Sequence, residues 1–184
     1  WILMFFYQVW MMGNLMLCKL AGLFGYKSHT EKVKKFMTIA GQTVNEKPTV
    51  PSSADALLRV QLTLEETIEM ADAILAKEAE NNNNAKKLLS DLNRDLNSLK
   101  VLSLELKDKD LDVDLLGVYD AIVDIDYVNT GAAVTFGLDL EAGFNEVHAS
   151  NMSKFVDGKA LKNDLGKVIK GPKYWAPDLT KFMK

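Results

Sequence analysis

The sequence predicts an all-α helical bundle that carries a C-terminal irregular arm, and three observations lead there. Apolar residues recur at steps of three and four from about Ala54 to Ala79 and again from Leu88 to Leu106, the period of helices that bury one face. Residues that cap helices stand just before these runs, and prolines or glycines interrupt the stretches between them. No convincing pair of alternating strands is present, although a short hairpin around Gly158 to Val168 is conceivable. With 184 residues, 48% of them hydrophobic, the chain can bury one core, so one domain is expected.

The first element stands apart. "WILMFFYQVWMMGNLMLC" runs eighteen residues without a charge, and lysines 19, 27, 32, 34 and 35 follow it. A hydrophobic span with basic residues on its C-terminal side has the pattern of a membrane anchor with a cytoplasmic body, at barely sufficient length. No basic region precedes the run, which argues against a cleaved signal peptide. Because the sequence starts at Trp1, translated upstream sequence with a true start at Met11, Met12 or Met16 is the rival reading. Residues 1–29 are therefore set apart from a domain over 30–184.

Thr30 can cap a helix through "EKVKKFMTIAGQ", and "NEKPTVPSS" is a loop in which Pro48 and Pro51 prevent its continuation. Ser52 or Ser53 caps the next helix, whose Leu57, Val60, Leu64, Ile68, Ala71 and Leu75 form one stripe. "NNNN" at 81 to 84 breaks it. Leu88, Leu92, Leu96, Leu99, Leu102 and Leu106 mark a further helix, read as packing surface. "KDKDLDVD" is a charged turn. A helix over 115 to 136 ends at Gly137, and Asp139 caps another through about Phe155. The remaining tail is too rich in Gly, Pro and Lys for regular structure.

Composition narrows the chemistry. A net charge of −3 gives no global basic field, so nucleic acid is not the expected partner. One cysteine, Cys18, allows neither a disulfide nor a cysteine metal cluster, and a reducing, cytoplasmic compartment is expected. His29 and His148 have no metal-binding spacing, "GKALKNDLGK" lacks the order of a phosphate loop, and no nucleophilic triad can be assembled.

Two acidic clusters remain. At about 100° per residue, Glu65, Glu69 and Glu66 fall within an arc of about 100° on or beside one helix face. In "YDAIVDIDYV", Asp120 and Asp124 stack one turn apart while Asp126 points elsewhere, and Ile122, Val123 and Ile125 predict a largely buried helix. Acids on a helix are ordinarily its solvated face. Brought together, however, the two clusters would need a cation to offset their repulsion and would make an oxygen-lined pocket suited to Mg²⁺ or Mn²⁺.

Glu65-Glu66-x-x-Glu69, a later acidic pair ending at Asp124, and "EVHASNMSKF", "DGKALK" and "KGPKYWAPDL" in that order resemble the all-α nucleoside triphosphate pyrophosphohydrolases. The likeness is to the MazG-like and phosphoribosyl-ATP-pyrophosphohydrolase-like branch common in phages and bacteria. It spans about Glu31 to Leu179, interrupted by an insertion near residues 78–112. The resemblance implies a homodimer or dimer of dimers, with the site near the subunit contact. It implies Mg²⁺-dependent cleavage of a nucleoside triphosphate, such as dUTP or a non-canonical nucleotide, to monophosphate and pyrophosphate. Glu66, Glu69 and Asp124 match metal ligands, and Glu65 matches the residue that orients or deprotonates the attacking water. Ala121 stands where the family has a glutamate, leaving Asp120 as the nearby acid able to replace it. Asn151 and Lys154 fall at the nucleotide, and Lys170 and Tyr174 could close over it. The competing reading is a non-enzymatic helical interaction protein, membrane-tethered through residues 1–18, whose leucine stripe binds a partner.

Overall fold

A computed structural model of the chain describes residues 27–162 and 168–183. The hydrophobic segment at residues 1–18 lies outside the described residues. Five α-helices are present among them: α1 (His29–Ile39), α2 (Ser53–Ala79), α3 (Asn83–Leu106), α4 (Leu115–Thr135) and α5 (Leu140–Met152). Among the described residues the tail has a 3-10 turn, Thr180–Phe182, and otherwise no helix or strand. None of the helices among the described residues is long and apolar enough to cross a membrane. The chain divides into two compact units, Asn45–Ile125 and the combination of Trp1–Val44 with Asp126–Lys184.

In the first unit α2 and α3 form an antiparallel hairpin across three residues. Ser52 caps α2, its hydroxyl accepting from the Asp55 N–H at 3.1 Å. The asparagine run is a designed corner: Asn82 Oδ1 accepts from the N–H groups of Asn84 and Ala85 at 3.0 and 3.3 Å, and its amide donates to Glu78 at 2.9 Å. These bonds satisfy donors that a helix start leaves open. The hairpin's other end is tied by the buried Ser53 hydroxyl, which donates to the Lys109 carbonyl.

The apolar seam differs from the expected one by a small rotation of each helix. On α2, Val60 is exposed and Gln61 lies half-buried beside Ile68. On α3 the inward set is Leu89, Leu92, Leu96, Leu99, Ser103 and Leu106, leaving Leu88 and Leu102 in solvent. Alternating steps of three and four keep a seam on one partner helix, as in a coiled coil, and this outweighs the choice of leucine at every inward position.

In the second unit α1 packs on α5. The helix starts at His29, capped by Ser28 and not Thr30, because Ser28 and Glu31 make a reciprocal capping box that Thr30 cannot form with Val33. The His29 ring stacks on Phe144 with centroids 3.6 Å apart. Its Nε2 lies 2.7 Å from Glu141 Oε2 but out of line for a hydrogen bond. Lys32 reaches Asn145 at 2.5 Å, and Phe36 meets Phe155 at 5.1 Å. Asp139 caps α5 through the Ala142 N–H at 2.9 Å.

The tail folds back on α5. The Ser150 hydroxyl donates to the Trp175 carbonyl at 2.8 Å, and the Trp175 N–H donates to Ser153 Oγ at 3.1 Å. Glu146 accepts from the Asp178 N–H at 3.0 Å and pairs with Lys181 at 2.6 Å. Of the hairpin conceivable around Gly158 to Val168, the described residues show two isolated bridges, Val156 with Lys159 and Lys162 with Val168. Its first turn places Asp157 and Gly158 at φ 48° and 74°, the pair of left-handed residues that a tight turn requires.

Helix α4 departs most from expectation. Every residue from Leu116 to Gly131 is exposed, Tyr127 by 80% and Leu116 by 77%, and Ala133 is its one buried residue. An apolar sequence shows that a helix wants cover without showing what provides it.

Candidate active site

Glu65, Glu66 and Glu69 all lie on α2, but the helix gives them different surroundings. Ile68 turns into the seam with α3 and is 5% exposed, so its neighbours on either side emerge at the seam's border. Glu65, one turn before Ile68, is half-buried and takes the Lys100 ammonium at 2.6 Å from its Oε1. Glu66 and Glu69 are exposed, and no ion pair occupies either among the described residues.

Lys100 is the neighbour of the acidic motif that sequence reasoning missed. A lysine on a charged helix carries no signal by itself. Its pairing follows only from the hairpin register that sets Leu96 and Ile68 in one seam.

Asp120 and Asp124 stand one turn apart on α4, as their spacing requires, and both are exposed. The helix pairs that pack extensively are α2 with α3 and α1 with α5. No group of three candidate ligands is gathered among the described residues. The donor chemistry fits a hard cation, since the exposed groups are all carboxylates.

In the other unit Asn151 and Lys154 meet one turn apart at the end of α5, Lys154 donating to Asn151 Oδ1 at 2.7 Å. Gly171 abuts the same point, since a Cβ there would lie 2.8 Å from the Lys154 carbonyl oxygen. Lys170 sits over the Tyr174 ring at 4.6 Å, a cation–π contact. The arm thus carries Lys170 and Tyr174 to the neighbourhood of Lys154. Trp175 is an anchor, through its backbone, and is itself 42% exposed.

Charge is partitioned between the units. Asn45–Ile125 holds nine Lys and Arg against seventeen Asp and Glu, a balance of −8, whereas the other unit holds thirteen against eight, a balance of +5. The first suits a cation and the second an anion. Several surface acids are held ionised below their ordinary range: Asp91 by the Lys87 ammonium and then Arg94, Glu146 by Lys181 and the Asp178 N–H, and Asp178 by Thr180. His148 is lowered too, its neutral form favoured by burial and then by Lys32 and Lys35.

No curated protein and no solved structure is detectably similar to the chain. The sequence profile of phosphoribosyl-ATP pyrophosphohydrolase, however, matches residues 33–151, some two thirds of the length. The matched stretch runs through residues 78–112 and contains both acidic clusters and Lys100, while Lys154, Lys170 and Tyr174 lie beyond its end. A helical chain matched over that extent is a member of the phosphoribosyl-ATP pyrophosphohydrolase family, within the MazG-like nucleoside triphosphate pyrophosphohydrolases.

Proposed function

We propose that this pyrophosphohydrolase cleaves a nucleoside triphosphate, a deoxynucleotide such as dUTP or a non-canonical one, between its α and β phosphates with Mg²⁺ or Mn²⁺ as cofactor. The observation that carries the reading is the set of three glutamates on α2 of a chain in this family, two of them open to solvent.

Glu66 and Glu69 would hold the ion, with Asp124 and, in place of the glutamate displaced by Ala121, Asp120. When bound, the ion offsets the charge of the triphosphate and aligns the attacking water. Glu65 has one oxygen engaged by Lys100, leaving the other to accept the proton of that water as the phosphoanhydride bond breaks. Asn151 can donate to phosphate or sugar, and Lys154 and Lys170 present ammonium groups to phosphate oxygens. Tyr174 offers a ring to the nucleotide.

The reading includes a homodimer. The exposed apolar length of α4 is what a second copy would cover, and a subunit contact there would allow carboxylates from both copies to share an ion. Incubation with a panel of canonical and modified dNTPs, with and without Mg²⁺, should release pyrophosphate from at least one. No pyrophosphate from any substrate would sink the assignment.

A further inference from the structure

The three glutamates of α2 are not equivalent, and the difference lies in α3. Of α3's other ion pairs, Lys87 with Asp91 and Arg94 with Asp91 and Asp95 all run along the helix itself. Lys100 instead crosses to α2 and meets Glu65 at 2.6 Å, with the two side chains 42% and 29% exposed. The unit around it has an excess of eight negative charges, so a cation placed on one particular carboxylate is selective. The pair is set by packing: Leu96 lies one turn before Lys100 and Ile68 one turn after Glu65, and both are buried in the seam.

The geometry points to Lys100 as a positioning residue, a built-in counter-cation that withholds Glu65 from the metal and reserves it for water. The inference rests on the proposed hydrolase reading and deepens it. Without such a cation, three carboxylates within five residues are each available to a divalent ion, and a glutamate that coordinates a doubly charged ion loses more of its basicity than one paired with a single ammonium. With the ammonium on Oε1, Glu65 has its charge balanced, and the ion is left to Glu66 and Glu69. The division of labour between base and ligands is thus set by a residue outside the acidic motif.

The test is a Mn²⁺ titration of the full chain, read by the loss of the free-ion electron paramagnetic resonance signal, for wild type, K100M, K100R, E65Q and E65Q/K100M. K100M should bind Mn²⁺ about tenfold more tightly, or bind an additional ion, because Glu65 joins the ligand set. K100R should keep the wild-type isotherm. The gain should disappear in E65Q/K100M relative to E65Q, which separates release of Glu65 from simple repulsion between ammonium and metal. If a substrate is found, K100M should lose about tenfold in kcat with KM unchanged and recover in K100R.

Identical isotherms for wild type and K100M would overturn the inference, as would a gain that persists without the Glu65 carboxylate. Circular dichroism confirms that the variants are folded, and K100Q serves if K100M is not. Because Mn²⁺ binding is read without turnover, a chain that hydrolyses nothing would refute the hydrolase reading while the isotherms still decide the role of Lys100.

Discussion

At the scale of the residue, the α2 glutamates separate by what surrounds them. Glu66 and Glu69 are exposed and without an ion pair among the described residues, so truncating either leaves the buried seam untouched. Glu66→Ala and Glu69→Ala should each abolish pyrophosphate release while leaving helicity unchanged, by an endpoint pyrophosphate assay and circular dichroism. Full activity in either variant would remove that residue from the ligand set. Asp120→Ala should raise the Mg²⁺ concentration needed for half-maximal rate severalfold if Asp120 replaces the glutamate missing at Ala121. An unchanged Mg²⁺ dependence would leave Asp124 without that neighbour. The acids were legible because their spacing alone fixes a shared face on any helix. Lys100 was not, because its partner is 35 positions away and depends on which face of α3 turns inward.

Among elements, the α2–α3 hairpin and the arm on α5 are held by different means. The hairpin depends on a narrow seam, and Leu96, 6% exposed, is its centre. Leu96→Ala should cost about 2–3 kcal/mol in chemical denaturation. The arm depends on close backbone approach. At Gly171 a methyl group would lie 2.8 Å from the Lys154 carbonyl oxygen and 2.9 Å from Val156 Cγ2, so Gly171→Ala should loosen it and speed proteolytic cleavage within residues 171–178. Helix existence and most boundaries follow from period and caps: Asp139 is the expected cap, Ser52 is one of the two serines the sequence offers, and the asparagine run is the expected break. The start of α1 differs from the expected one because Ser28, with Glu31 three residues on, forms a capping box and Thr30 does not. The burial of α4 was overestimated for a related reason. Isoleucine and valine report a demand for cover, and nothing within one chain states whether its own helices meet that demand.

For the whole molecule, acidity is a lever. His148 is kept neutral in the fold by burial and by Lys32 and Lys35, below the ordinary value near 6.5. The unfolded chain therefore takes up the proton first as the pH falls. Its contribution is fully present above 6.5 and is lost as the pH drops through that value toward the lower folded one. Thermal midpoints measured from pH 8 to 5 should fall more steeply for wild type than for His148→Gln, and parallel curves would show that His148 is not the group responsible. Light scattering across protein concentrations tests the second copy: a particle of one chain's mass at every concentration would leave α4 uncovered and exclude the dimer.

The two helix pairs also differ in how much chain separates their partners. Contacts within α2–α3 close around three residues, whereas Lys32 and Asn145, which join α1 to α5, are 113 positions apart. Local contacts cost little loop-closure entropy and form early, while distant ones wait for the intervening chain. During synthesis the Glu65–Lys100 pair can therefore be in place before α4 has emerged. Hydrogen exchange pulse-labelling during refolding should protect α2 and α3 ahead of α1 and α5.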